Sequence, residues 1–295
     1  MSNACGAADE AREPAEAVGV SEQAATAPTI TWFRWTKGDP VRRMERVSTH
    51  VCGLSMVRGE FARDTDLFIR QGTGFWEMLA NFPGSNLLQA DAVCVPLSAF
   101  RVNAGQVVSN GSMFSADLPN RFNATVTRAM TPNSAGILTR VKGAFNGKPE
   151  RAWVETPYTN PTVNIKNGTA PGTHTASAFS LNFGLTGNLV PKASVTSLSI
   201  DGHAISWTEG VDCPFGPICD EGVRLDAAFC HLSSVSGDFN GAEEWAQVFP
   251  FHERGRWHFN VHAGGGTLGF GSASVYAEMT CLNYDQTRGS IPIIR

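Results

Sequence analysis

Residues 138–154 read LTRVKGAFNGKPERAWV, and residues 232–248 read LSSVSGDFNGAEEWAQV. The two agree, without a gap, at Leu138/Leu232, Val141/Val235, Gly143/Gly237, Phe145/Phe239, Asn146/Asn240, Gly147/Gly241, Glu150/Glu244, Ala152/Ala246 and Val154/Val248. Nine identities in 17 positions mark an internal repeat. Gly-x-Phe followed by Asn-Gly predicts an apolar strand entering a tight turn, because Asn-Gly tolerates the positive φ angles of a hairpin turn. Beyond it Glu, Ala and Val alternate at period two, the mark of a strand with two distinct faces. Between Leu138 and Val141 the alternation slips by one, and it slips again between Leu232 and Val235. That slip predicts a β-bulge in each copy.

A third copy starts at Cys52 as CGLSMVRGEFARDTDLFIR, with Leu54, Val57, Gly59 and Phe61 in register. On this count Asp66 takes the place of Glu150 and Glu244. The downstream halves also match. Trp76 and Trp257 each open a strand after a Gly-containing turn, and both are expected in the core. Ala90–Cys94, Ala176–Ser180 and Ala277–Cys281 then follow as related last strands.

The rest of the chain has the same β texture. Short β-branched and aromatic runs at residues 29–35, 66–70, 123–128, 162–166, 194–200, 257–262 and 274–281 are bounded by Gly, Asn, Pro or Ser. No 15-residue window carries a clean 3.6-residue apolar period. Thirty Gly and 16 Pro, with 17% charged residues, argue against a helical bundle, and 18 Phe and 7 Trp argue against a disordered chain. The expected fold class is all-β: sandwich-like modules in three related repeats of antiparallel strands. Residues 1–28, rich in Ala and acid, are expected to form a disordered tether. Residues 29–136 then hold module 1 plus a connector, 137–229 module 2 plus a connector, and 230–295 module 3. A net charge of −4 gives no support for a nucleic-acid partner. No run of 18 apolar residues is present to cross a membrane as a helix.

Seven cysteines gain a meaning from the repeat. Cys52 and Cys230 each lie seven residues before their module's Gly, with Cys94 and Cys281 at matching positions further on. The middle module has Gly136 and Ser180 at both places. Two cysteines absent together from one copy predict that they meet in the others, as Cys52–Cys94 and Cys230–Cys281. Cys213-Pro-Phe-Gly-Pro-Ile-Cys219 is a short loop able to close on itself; its spacing is not a zinc pattern. Cys5 is left over.

Candidate chemistry is sparse. His258 and His262 share a strand face but lie roughly 13 Å apart along it, too far to chelate one ion unaided. No metal or other cofactor is expected. Glu150, Glu244 and Asp66 recur at one module position, which predicts a structural duty such as accepting turn N–H groups or pairing with an Arg. No Gly-x-Ser-x-Gly elbow, phosphate loop or His-Glu-x-x-His motif is present. Gly264-Gly265-Gly266 reads as a hairpin loop. Asn110, Asn123 and Asn167 open glycosylation triplets that matter only in a eukaryotic source. Trp153 and Trp245, placed differently in their modules, are candidates for a stacking platform for sugars or a protein partner, the alternative being packing between modules.

The set Cys-x-Leu-x-x-Val-x-Gly-x-Phe, an acidic residue, a Trp-led strand and Ala-x-x-x-Cys resembles small Cys-bracketed β-rich modules of secreted bacterial proteins, tail-fibre-like and adhesin-like ones among them. The resemblance covers about half the chain and implies an extracellular or envelope location, consistent with the bridges. It carries no catalytic residues across. Cys5, after Ala4 and ahead of the tether, sits as the lipid-carrying Cys does at the mature start of a bacterial lipoprotein. The expected function is a non-enzymatic, extracytoplasmic adhesive or recognition protein that binds a surface glycan or a protein. The alternatives are a polysaccharide-acting hydrolase and a self-assembling shell or fibre protein.

Overall fold

The fold is read from a computed structural model that describes residues 28–82, 87–155, 160–169, 172–184, 192–200, 203–208, 223–241, 244–253, 256–264 and 275–285. Nearly all of it is antiparallel strand. The first set is β1 (Thr31–Thr36), β2 (Arg42–Arg46), β3 (His50–Gly59), β4 (Asp66–Gln71), β5 (Phe75–Asn81) and β6 (Leu88–Pro96). The second is β7 (Ser109–Leu118), β8 (Ala124–Ala129), β9 (Ser134–Lys142), β10 (Asn146–Glu155), β11 (Thr162–Asn167) and β12 (His174–Asn182). The third is β13 (Lys192–Ile200), an additional β14 (His203–Thr208), β15 (Val223–Arg224), β16 (Ala228–Asp238), β17 (Trp245–Glu253), β18 (Arg256–Gly264) and β19 (Val275–Asn283).

The strands form three sheets in the orders β1-β6-β3-β17-β18-β15, β14-β13-β19-β16-β10-β11-β8 and β2-β5-β4-β9-β12-β7. Each sheet joins two sets. Strands one, six and three of one set continue into strands four, five and two of another. The exchange runs around a closed cycle: β4 adds to β9, β10 to β16 and β17 to β3. This is a pseudo-threefold arrangement, and the six-strand unit begins upstream of the segments matched in the sequence.

The cycle closes on an axis. The Phe61 amide donates to the Phe239 carbonyl (2.8 Å), the Phe145 amide to Phe61 (3.0 Å) and the Phe239 amide to Phe145 (2.5 Å). Their rings meet edge to face, with centroids 5.6–6.5 Å apart. The preceding Gly59, Gly143 and Gly237 have φ of 108°, 121° and 113°, a region that side chains other than glycine's rarely enter. A Cβ at Gly59 would also stand 1.9 Å from the Leu87 carbonyl.

The bulges are present at equivalent places. Ser55, Thr139 and Ser233 are each skipped in the pairing with the last strand of their set. The Asn-Gly turn is not. Asn146 and Gly147 do not adopt positive φ; they open β10 and pair with Asp238 and Gly237 of β16. The chain leaves one sheet for the next at Gly-x-Phe, where the Phe is drawn to the axis, so β9 and β10 never pair. The hairpin of each set is β4–β5, β10–β11 or β17–β18.

Cys52 lies opposite Cys94, and Cys230 opposite Cys281, and both pairs are bonded and fully buried. Cys213, Cys219 and Cys5 lie outside the described residues. No helix among the described residues is long and apolar enough to cross a membrane.

Deeper on the axis, the equivalent positions are Gly53, Ile137 and His231. A Cβ on Gly53 would approach Ile137 Cγ2 at 2.6 Å and the His231 side chain at 3.2 Å, so the small residue leaves room for the ring. His231 is fully buried, its Nδ1–H donates to the Leu232 carbonyl (2.8 Å), and Nε2 has no partner. Burial pushes its pKa down to about 4. A base whose folded pKa lies below its unfolded value is neutral in the fold, and the stability it contributes is complete above the unfolded pKa. That stability is lost as pH falls from about 6.5 through about 4, to the extent of about 3 kcal/mol. Urea unfolding at pH 7 and pH 4 is expected to show most of this loss in the native chain and little of it in His231→Ile, which copies Ile137. Equal acid losses in both proteins would refute the assignment.

Candidate functional site

The backbone register moves one expected residue. Thr65 and Glu244 are equivalent, because the Gly143 amide donates to Thr65 (2.9 Å) as the Gly59 amide does to Glu244 (2.8 Å). Asp66 pairs opposite Lys142, as Arg151 does opposite Ser236 and Trp245 opposite Arg58. Asp66 therefore belongs with Arg151 and Trp245, one place beyond the Glu position, and the first set is one residue shorter between its Gly and β4.

Two of the three acidic residues, Glu150 and Asp66, make structural contacts of the kind expected. Glu150 is buried, and its Oε1 accepts from the Gly168 amide at 3.2 Å. Asp66 takes two hydrogen bonds from Arg140, at 2.7 and 2.6 Å, which raise the arginine's pKa. Asp238 is held above the usual carboxylate range by burial first and by the nearby Glu150 charge second. Two acids with one raised pKa are a glycosidase's requirement. Here, however, Glu150 is 1% exposed, with Gly147, Pro149 and Gly168 around its carboxylate. A sugar cannot reach it.

Trp153 and Trp245 sit on separate sheets, β10 and β17, so they do not form one platform. Both are half-buried on the faces turned away from Ala152 and Ala246. The Trp153 Nε1–H donates to Glu155 (2.8 Å), and the Arg151 guanidinium lies 4.8 Å from a ring centroid. Arg151 is fixed in turn by Ser234 (2.9 Å) and Glu278 (2.7 Å). Trp245 packs over Gly264, where a Cβ would come within 2.6 Å of the indole, and beside His262 at 6.4 Å. His262 also meets Phe249 at 4.7 Å, and burial lowers its pKa. His258 and His262 lie on one strand, as expected, and the described residues hold no group of three metal-ligating side chains.

Trp257 corrects the sequence reading. Pairing places Trp76 opposite Gln71 and Phe259 opposite Pro250, so Phe259 is the residue equivalent to Trp76. Trp76 is fully buried against Phe179 (4.9 Å). Trp257, two places earlier on β18, is 54% exposed beside His252 (5.2 Å). Period two gives no signal for this, since Trp257 shares the face of Phe259, Val261 and Ala263; its exposure comes from its place at the start of β18, one residue from the end of the hairpin pairing.

A second surface escaped the sequence reading. On the outward face of β2-β5-β4-β9, Arg43 and Arg46 lie 4.9 and 5.2 Å from the Phe75 ring centroid, and Arg70 and Arg140 lie 5.9 and 5.5 Å from that of Phe68. Only the pairing of β4 with β9 brings Arg140 to this row.

No family model, no curated protein and no solved structure matches the chain.

Proposed function

We propose that this is a non-enzymatic recognition protein of the cell surface or extracellular space, which binds a glycan or a protein partner on the outward faces of its sheets. The observation that carries this reading is the pre-set indole of Trp153, framed by Arg151 and Glu155 on a rigid strand. An aromatic ring already fixed by polar neighbours loses little freedom on binding. The exposed Trp257 and the half-buried Trp245 offer similar apolar surface on β18 and β17. Two buried disulfides suit an oxidising compartment. On this reading, Cys5 is the lipid attachment point of an envelope-anchored form.

Glycan-array binding by the native chain tests the proposal, run beside Trp153→Ala, Trp245→Ala and Trp257→Ala. At least one variant is expected to lose about tenfold in affinity, the usual scale for an aromatic anchor. Binding indifferent to all three changes would remove the tryptophans from the recognition surface. Failure of the native chain to bind any glycan would leave the protein-partner arm, which crosslinking at Trp257 replaced by a photoreactive residue tests on intact cells.

A further inference from the structure

The arginine and phenylalanine row on β2, β5, β4 and β9 has an asymmetry that gives it a ligand chemistry. Arg70 is paired with Glu77 at 3.0 Å, and Arg140 with Asp66. Those two charges are balanced. Arg43 and Arg46 are exposed and have no carboxylate within ion-pair distance among the described residues; each is held only by the Phe75 ring. Their placement depends on an irregularity. Arg43 pairs opposite Glu77 and Arg46 opposite Phe75, with a bulge between them. Three residues apart on a regular strand they would face opposite sides. The bulge turns both to the same side, over one ring, while Met44 stays buried beneath. Two like charges are thus brought together in a protein whose net charge is −4.

We propose that this face binds an acidic polysaccharide, with Arg43 and Arg46 holding a carboxylate or sulfate group and the balanced part of the row supporting the neighbouring sugars. This names the ligand class for the recognition role proposed above and rests on that reading. Guanidinium forks match carboxylate and sulfate oxygens in geometry as well as charge. The row crosses four adjacent strands, roughly 14 Å, enough for about three sugar rings. Alternation of charge with apolar ring edges suits a chain whose sugars present acidic groups and C–H faces in turn. Nucleic acid is a poorer fit. Base stacking needs an open aromatic face, and Phe75 already has two guanidinium groups against it and Phe68 two more. Glu45, next to Arg46 in the chain, lies 3.9 Å from His50, and Glu77, opposite Arg43, is already paired with Arg70.

The test is titration of the full chain with polygalacturonate and heparin, with neutral dextran, duplex DNA and vesicles of phosphatidylglycerol as comparison probes. Saturable, salt-sensitive binding to at least one acidic polysaccharide is expected, with weakening of about tenfold or more in Arg43→Gln/Arg46→Gln. Arg128→Gln, on the exposed edge strand β8 of another sheet, is expected to bind as the native chain does. Thermal unfolding of each variant establishes that the fold is kept. Acidic-glycan binding unchanged in the double variant would overturn this site while leaving the recognition role standing. So would binding to neutral glycans alone, and so would a preference for DNA or vesicles. Failure to bind any glycan or protein would overturn both.

Discussion

Phe145→Ala is expected to lower the stability of the whole chain by about 4 kcal/mol. The ring is fully buried against Phe61 at 5.8 Å, His174 at 6.2 Å and Phe239 at 6.5 Å. Truncation removes the transfer energy of a phenyl group and leaves a cavity on the axis, at a place where all three sets touch. The backbone triangle of Phe61, Phe145 and Phe239 amides and carbonyls would then be open to water on one side. Phe61→Ala and Phe239→Ala are expected to cost similar amounts, and the double variants less than the sum, because the second truncation enters a cavity already made. Urea unfolding gives the measure. A loss below about 1 kcal/mol would show that the axis is not where the sets are tied. The same experiment reads cooperativity. Every sheet contains strands of two sets, so unfolding of one set strips its neighbour, and a single transition is expected even in the Phe145→Ala chain.

How much of this was legible in the chain depends on whether the signal was local. The repeat, the bulges and the Cys52–Cys94 and Cys230–Cys281 pairs were legible, because each leaves a periodic trace: a fixed offset, a slip in alternation, a paired absence. The exchange of hairpins between sets leaves none. The face pattern of β4 is the same whether it lies on β3 or on β9, since side-chain alternation reports burial and not the identity of the neighbouring strand. Asn146-Gly147 misled for the same reason. Its turn preference is local, and the pull of Phe145 to the axis, which no local rule contains, overrode it. Asp66 and Trp257 were displaced by counting: one residue fewer before β4 moves Asp66 to the other face, and two more before the buried series of β18 leave Trp257 on the same face but at the exposed end of the strand. The recognition surfaces were the least legible. Trp153 was visible as an unmatched aromatic, but Arg151 and Glu155 gave it a frame only once the strand was laid down. Arg43 and Arg46 carried no signal in the sequence, because only the bulge in β2 puts them over one ring.

The disulfides carry the other large expected effect. Cys52→Ala/Cys94→Ala opens a loop of 42 residues and Cys230→Ala/Cys281→Ala one of 51. On the chain-entropy account each bridge contributes about 4 kcal/mol, and both together about 8, enough to unfold a domain of ordinary stability. Alanine is the better replacement, because a buried serine would add an unpaired hydroxyl. Thermal unfolding of both double variants, with the native chain in reducing agent as a third sample, is expected to give falls of similar size for the two bridges. No change on reduction, with all four thiols shown free by mass spectrometry, would refute the assignment. The middle set shows why no third bridge is present. A Cβ on Gly136 would stand 2.3 Å from Val154 Cγ1 and 3.1 Å from Met130 Sδ. The Ser180 hydroxyl accepts from the Ser112 amide at 3.1 Å. Val154 and Met130 occupy the space a cystine needs, and β7 uses the hydroxyl. Gly136→Cys/Ser180→Cys is therefore expected to destabilise the reduced chain by about 2 kcal/mol through overpacking. The middle set is held by fill rather than by a covalent tie. The β9–β12 contact itself is thus indifferent to redox state, while the fold around it, which shares sheets with both bridged sets, is expected to weaken as one unit on reduction.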